Sequence, residues 1–249
     1  MASNKEKMIA RFRAVKNMGY IPSHRTSDTG IGKTFEDCVG VVENNINAPD
    51  LFGFEIKAHR EKSSSYVTLF TKKPSFPYNA NGILNTKFGT PYPNNPALNS
   101  LHTSIFADRG NTYAGKYSFQ LCVDKNAKQI LIQVSDLDSG KILDKSGGYT
   151  FAEIEEVLNN KLENLFYVSV KNKKEDGDEQ FLFHKADIYM RPSIDRFIEL
   201  LQNGKIMYDI RIGSYKSGKN YGKSHDHGSG FRILPQSLGE LFTYHEEVE

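Results

Sequence analysis

Apolar residues first recur at helical spacing. Met8, Ile9, Phe12, Val15 and Met18 share one stripe of residues 5–18, and Gly19 supplies a stop. The spacing predicts a second helix over residues 34–46. Phe35, Cys38, Val39, Val42 and Ile46 form its apolar face, with Glu36 and Glu43 on the border. Residues 23–33, between the two, read as a polar loop with glycines. The period then drops to two. Phe54 and Ile56 alternate with Glu55 and Lys57, which predicts a strand over residues 53–58 with one apolar and one polar face. Residues 66–71 read as its return strand, closing a hairpin through a polar turn.

Residues 74–100 hold Pro74, Pro77, Pro91, Pro93 and Pro96 and much asparagine, and read as one long irregular stretch. Residues 117–124 and 129–136 pattern as a second hairpin. Thr150 and Glu153 have the spacing of a capping box opening a helix over residues 151–164. Residues 165–172 and 179–190 are strands around a charged turn. Ser193 and Gly204 bracket a helix over residues 194–203. A strand over residues 208–213, a glycine-rich loop, a strand over 231–234 and a short helix near 238–245 complete the chain. Hairpins mixed with helices argue for an α/β or α+β protein with a mixed sheet, not a doubly wound parallel one.

With 249 residues, 38% of them hydrophobic, the chain can build one large domain or two lobes. A net charge of +2 makes any nucleic-acid surface a local one. Cys38 and Cys122 lack metal spacing and read as buried thiols of a reducing compartment. The charged N-terminus has no signal-peptide core and no apolar run reaches spanning length, so a soluble cytoplasmic protein is expected.

The chemistry concentrates first in residues 49–59. Glu55 and Lys57 share a strand face, and Asp50 lies just upstream across a bend at Gly53. Two carboxylates and an amine on one sheet edge suit metal-assisted phosphodiester hydrolysis. The carboxylates offer a hard cation its oxygen ligands, and the lysine orients water and neutralises charge on the phosphate. The competing reading is an ordinary solvated face with a weak ion pair.

Residues 210–233 form the second cluster. They are basic (Arg211, Lys216, Lys219, Lys223, Arg232), rich in glycine, and carry planar rings in Tyr215, Tyr221, His225, His227 and Phe231. Glycines admit close backbone approach to a phosphate, and arginine donors match the guanine edge in the major groove. Tyr208, Ile210 and Ile212 are expected to face a core, leaving Asp209 and Arg211 together on the other face. A mobile solvated loop competes with this reading. A zinc site on His225 and His227 lacks further ligands nearby. A phosphate-binding loop at residues 27–34 fails because Ser27 stands where a glycine is required.

These segments, with residues 32–40, resemble the MutH-like branch of the PD-(D/E)xK nucleases, and within it the restriction endonucleases of the MvaI and BcnI type. The resemblance implies a PD-(D/E)xK core, with a mixed sheet flanked by helices, in a two-lobed DNA clamp. Residues 1–100 would be the catalytic lobe and 101–249 the DNA-recognition lobe, within one continuous structural unit. It implies Asp50 and Glu55 as ligands of Mg2+, Lys57 as the motif lysine, and Glu36 as an additional acidic residue, with Glu43 its competitor. Asp209, Arg211, His225, His227 and Arg232 become base readers, and Tyr215 a minor-groove wedge. Lys216, Lys219 and Lys223 become phosphate contacts. The implied activity is type II cleavage of double-stranded DNA at short, nearly palindromic CC-N-GG sites such as CCWGG. A monomer would nick the strands in turn, alongside a cognate DNA methyltransferase that forms no stable complex. Two other classes share the motifs: a partner-activated nicking endonuclease of the mismatch-repair kind, and a non-catalytic DNA-binding module.

Overall fold

The computed structural model describes residues 2–27, 29–41, 49–175 and 177–248. The chain opens with α1 (Asn4–Lys16), β1 (Tyr20–Pro22), α2 (Gly30–Val39) and β2 (Glu55–Arg60). β3 (Val67–Thr71), α3 (Ala80–Phe88), β4 (Thr90–Tyr92) and β5 (Asn95–Ile105) follow. The middle holds β6 (Asn111–Tyr113), β7 (Tyr117–Asp124), β8 (Gln129–Asp136), β9 (Ile142–Thr150) and α4 (Phe151–Leu162). Next come β10 (Asn164–Glu175), β11 (Asp178–Pro192), α5 (Ile194–Gln202) and β12 (Ile206–Ser214). β13 (Ser224–Asp226), β14 (Gly230–Ile233) and β15 (Phe242–Val248) end the chain.

These elements form two compact units, and the chain crosses between them four times. The first unit comprises Met1–Ser65, Val157–Ser193 and Gly239–Glu249; the second comprises Tyr66–Glu156 and Ile194–Leu238. The units are therefore interleaved, not the consecutive segments 1–100 and 101–249 anticipated above. The reason is strand pairing: β10, β11 and β15 come from distant segments to join β1 and β2.

In the first unit the sheet order is β1-β11-β10-β2, with β15 also on β11. β2 pairs with β10 in parallel, from Leu165↔Glu55 to Val170↔Arg60. Helix α1 starts in a capping box between Ser3 and Glu6, whose side chains each accept the other's backbone N–H. Its buried Met8, Phe12 and Val15 join Phe35 and Val39 of α2 over one face of the sheet, against Ile56, Phe166, Phe183 and Ile188. Phe12 meets Phe166 edge-on at 5.7 Å between ring centres. Strand alternation turns Glu55, Lys57, Tyr167, Asp187 and Glu247 to the opposite face.

The second unit holds a sheet ordered β3-β14-β12-β5-β4, with β13 on β12, and an antiparallel sheet β6-β7-β8-β9. Its core is aromatic. Phe231 lies 5.1 Å from Tyr149 and 5.2 Å from Tyr208, and all three are fully buried. Thr150 and Glu153 form the anticipated capping box at the start of α4.

Four expectations change. The second helix runs over Gly30–Val39, so it begins inside the supposed loop and stops where Gly40 adopts a left-handed φ of +88°. Val42, Glu43 and Ile46 lie outside the described residues. β2 and β3 form no hairpin: β2 takes a parallel partner 110 residues away, and β3 pairs with β14. Local alternation predicts a strand but not its neighbour. Residues 74–100 contain α3, β4 and most of β5: Pro74 and Pro77 precede α3, Pro91 lies in the edge strand β4, Pro93 falls between β4 and β5, and Pro96 is at the start of β5. Residues 238–245 form the end of a 3-10 segment and the start of β15, not a helix. Among the described residues, no helix is long and apolar enough to cross a membrane.

Candidate active site

The segment before β2 folds back on itself in a two-residue turn. Leu51 and Phe54 exchange backbone hydrogen bonds, 3.1 Å from the Leu51 N–H and 2.9 Å from the Phe54 N–H. Phe52 (φ +52°) and Gly53 (φ +80°) both lie in the left-handed region, the signature of a type I′ turn. Glycine adopts that backbone freely, whereas a bulky side chain there costs about 1–3 kcal/mol. Asn164 donates its side-chain N–H to the Gly53 carbonyl at 3.2 Å and ties the turn to β10.

The turn returns Asp50 to the start of β2, where its Oδ2 accepts the Ile56 amide at 2.7 Å. Glu55 is thereby a close electrostatic neighbour. Partial desolvation, and then the Glu55 charge, push the Asp50 carboxyl above the ordinary carboxylate value. The Ile56 amide and the Lys57 and Lys161 ammonium groups offset part of that rise. Lys57 Nζ contacts Glu55 Oε1 at 2.9 Å, with both side chains only about 15% exposed. Phe54 and Ile56 are buried on the other face, as the alternation predicts. Glu36 lies half-buried on α2, beside the buried Phe35, and α2 packs against β2.

The geometry therefore gathers Asp50, Glu55 and Lys57 within one turn and the strand it opens. Asp50, whose proton affinity burial and the Glu55 charge raise, sits in a donor set that a divalent cation relieves. All-oxygen donors fit a hard ion such as Mg2+.

The second unit presents a different constellation. Asp209 on β12 is buried, and its Oδ2 accepts Arg211 Nε at 2.6 Å. Arg232 Nε lies 2.9 Å from the same oxygen, in ion contact without hydrogen-bond alignment. Burial, and secondarily Arg211, hold the Arg232 guanidinium below its usual value, while Asp209 opposes them. Tyr208, Ile210 and Ile212 point into the core as anticipated.

Rings line the adjoining loop. Tyr215 stacks on His225 at 4.4 Å, and His225 meets His227 at 4.3 Å. His102, on β5, approaches His227 at 6.2 Å. Desolvation and the two neighbouring histidines hold His227 below the ordinary imidazole value. Lys216, Lys219 and Lys223 are exposed, with Lys216 Nζ 4.3 Å from the centre of the Tyr92 ring. A recess of about 400 Å³ is lined by His102, Thr103, Ser104, Asp209, Arg211 and His227.

Sequence reasoning missed two participants here. His102 is opposite Arg211 in the β5–β12 register, and a lone histidine in an unassigned segment carries no signal of that. Asn81, on α3, donates to Asp226 Oδ2 at 2.5 Å. Asp226 Oδ1 accepts the Gly228 and Ser229 amides at 2.9 and 2.7 Å, which fixes the turn bearing the two histidines. Asn81 lies inside the stretch read as irregular.

The profile of the MvaI/BcnI restriction endonuclease family matches residues 9–242. The chain belongs to that family. Among solved structures it is similar to the restriction endonuclease MvaI in complex with its cognate DNA substrate. There the identity is 30%, both chains are covered completely, and the TM-score is 0.89. It is also similar to MvaI in the absence of DNA, at 31% identity and a TM-score of 0.68, over 100% of this chain and 99% of the other. The comparison with curated proteins returned no match. As a member of the MvaI/BcnI family the chain is a type II restriction endonuclease, a sequence-specific DNA-binding hydrolase of the nuclease class. Its mixed α/β architecture is that of the MvaI structures and accords with a PD-(D/E)xK core.

Proposed function

We propose that this endonuclease cuts double-stranded DNA at a short, nearly palindromic CC-N-GG site such as CCWGG. It requires Mg2+ and acts as a monomer that nicks the two strands in turn. The observation that carries the proposal is the convergence of Asp50, Glu55 and Lys57 on the turn before β2. The similarity to MvaI bound to its cognate DNA supports duplex DNA as the substrate.

Asp50 and Glu55 would hold the ion. When bound, Mg2+ polarises the scissile phosphate and lowers the pKa of water. Asp50 must be ionised to act as a ligand, and the Ile56 amide fixes one of its oxygens. Lys57, already drawn to Glu55, keeps its ammonium on the same face, where it orients the attacking water and offsets charge on the phosphate oxygens. Glu36 takes a supporting acidic role from α2.

Recognition falls to the second unit. Arg211 and Arg232, both in ion contact with one Asp209 oxygen, have the donors to read guanine, and Asp209 has an acceptor for cytosine N4. His225 and His227 read near the site's centre, and Tyr215 enters the minor groove. Lys216, Lys219 and Lys223 contact phosphates. Residues 1–65 with the later parts of the first unit serve as the catalytic lobe, and the second unit serves as the recognition lobe. The enzyme works in the cytoplasm beside a cognate DNA methyltransferase.

Digestion of a sequenced supercoiled plasmid with Mg2+, followed by mapping of the ends, tests this reading. Transient open circles and ends within CC-N-GG sites are expected. Direct linearisation without nicked intermediates would remove sequential nicking. Ends at unrelated sequences would remove the recognition assignment. Purified protein that only nicks would favour the partner-activated class, and no cleavage of any duplex would favour a binding module.

A further inference from the structure

On the sheet face that bears Glu55 and Lys57, a second group of ligand-bearing side chains lies two strands away. Asp187 on β11 and Glu247 on β15 are register partners, so they share a face. His245 is two residues before Glu247 and shares it too. One ligand atom from each of the three lies within 4.8 Å of the others.

Asp187 is the anomaly in this group. Its side chain is nine-tenths buried in the middle of a long strand. Tyr167 is its register partner on β10, and Tyr189 follows two residues along the same strand face. Among the described residues, the only hydrogen bond of the Asp187 side chain is the one its Oδ1 accepts from His245 Nε2, at 2.7 Å. A buried carboxylate served only by a half-exposed imidazole is poorly compensated. Tyr189 stacks on the His245 ring at 4.7 Å and 14°, so the imidazole is held in place. Glu247 is exposed and paired with Lys185 at 3.1 Å, a solvent-screened contact that a divalent ion can displace.

We propose that Asp187, His245 and Glu247 form a second divalent-metal site, distinct from the Asp50–Glu55 pair. One imidazole nitrogen with two carboxylates suits a borderline ion such as Mn2+, Co2+ or Zn2+ better than Mg2+. Asp187 and Lys57 are both register partners of Tyr167, so their backbones stand about 10 Å apart across the sheet. Paired catalytic metals sit only about 3.5–4 Å apart. An ion here is therefore no second catalytic ion. It neutralises a buried carboxylate, clasps β15 to β11, and adds positive charge to the face proposed to receive DNA. The site stands on its own geometry and does not depend on the roles proposed for Asp50 and Glu55.

Co2+ is the probe, read by equilibrium dialysis and visible absorption of the purified full chain. In the double variant Asp50→Asn/Glu55→Gln, about one Co2+ per chain should remain, with the absorption of an imidazole-bound ion. Adding His245→Gln should weaken that binding at least about tenfold, as should Asp187→Asn. His245→Gln alone should spare binding at the Asp50–Glu55 pair. The half-exposed His245 on a terminal strand makes that variant decisive even where Asp187→Asn misfolds. Co2+ binding unchanged by His245→Gln overturns the proposal, as does a double variant that binds no Co2+. If the double variant binds as much Co2+ as wild type, and His245→Gln abolishes it all, the second site survives while the Asp50–Glu55 assignment fails.

Discussion

Asp50→Asn separates what the turn carboxylate does for catalysis from what it costs the metal-free fold. Asparagine keeps an oxygen for the Ile56 amide and removes the charge facing Glu55. In the metal-free enzyme the Asp50 carboxyl is raised above its unfolded value, so the folded state binds its proton more tightly. Stability from this group is therefore present at low pH. It declines as pH climbs from the ordinary carboxylate value through the raised one, and stays lost above it. The variant should lack that decline and melt no lower than wild type near neutral pH without metal. Mg2+ should reverse the order. An ion at about 100 times its Kd stabilises the wild type by roughly 2.7 kcal/mol, which is about 5–10 °C in Tm for a chain of this length. The variant should show little of that shift. Its cleavage should fall about a thousandfold, since a unit charge at 4 Å is worth about 4 kcal/mol in a partly screened site. Melting curves from pH 3.5 to 8, with and without Mg2+, and single-turnover cleavage read these together. Identical pH profiles, or an undiminished Mg2+ shift in the variant, would refute the reasoning.

Lys57→Ala removes the ammonium beside Glu55 and should raise the Asp50 carboxyl further, because that cation now lowers it. Cleavage should be lost while Mg2+ still raises Tm; retained cleavage removes Lys57 from the mechanism. Asp209→Ala strips the shared partner from two arginines, of which Arg232 is largely covered. Denaturant unfolding should register a loss of about 3 kcal/mol, and a loss below about 1 kcal/mol means the arginines are already satisfied elsewhere. Arg232→Ala should cost about 1–3 kcal/mol of discrimination at one base pair, measured by binding to a panel of single-substitution duplexes. Uniform weakening across the panel reassigns it to a phosphate.

The parts of the fold that could be read along the chain are those set by local chemistry. The β7–β8 and β10–β11 hairpins, the Thr150–Glu153 cap, and helices α1, α4 and α5 depend on neighbours a few residues apart. What stayed hidden depends on distant partners. β2 lies in parallel beside β10, and nothing in residues 53–71 distinguishes that from a hairpin. The start of β15 reads as part of a short helix, because only its pairing with β11 makes it a strand. The same division holds at the site. Asp50, Glu55 and Lys57 lie within eight consecutive residues and announce their shared face. His102 and Asn81 reach the recognition loop only through the β5–β12 pairing and the packing of α3. Asp187 and His245 are 58 residues apart, and their contact is invisible without the sheet.

That locality explains where strain is stored. Asp50 could reach the Ile56 amide only if the chain reversed within two residues, and a type I′ turn does so by placing both central residues at positive φ. Asn-Gly would satisfy that turn at least cost, yet Phe52 occupies the first position. Its ring is partly buried against the core beneath α1 and α2, so packing opposes the backbone penalty. The neighbouring Gly53 carbonyl is fixed by Asn164. The turn is thus anchored at two points, by a side chain in the core and by a backbone carbonyl on β10. Anchoring of that kind holds two mutually repelling carboxylates close before any cation arrives. A softer turn would let Asp50 swing away from Glu55, and ion binding would then have to supply the ordering free energy that the fold has already met.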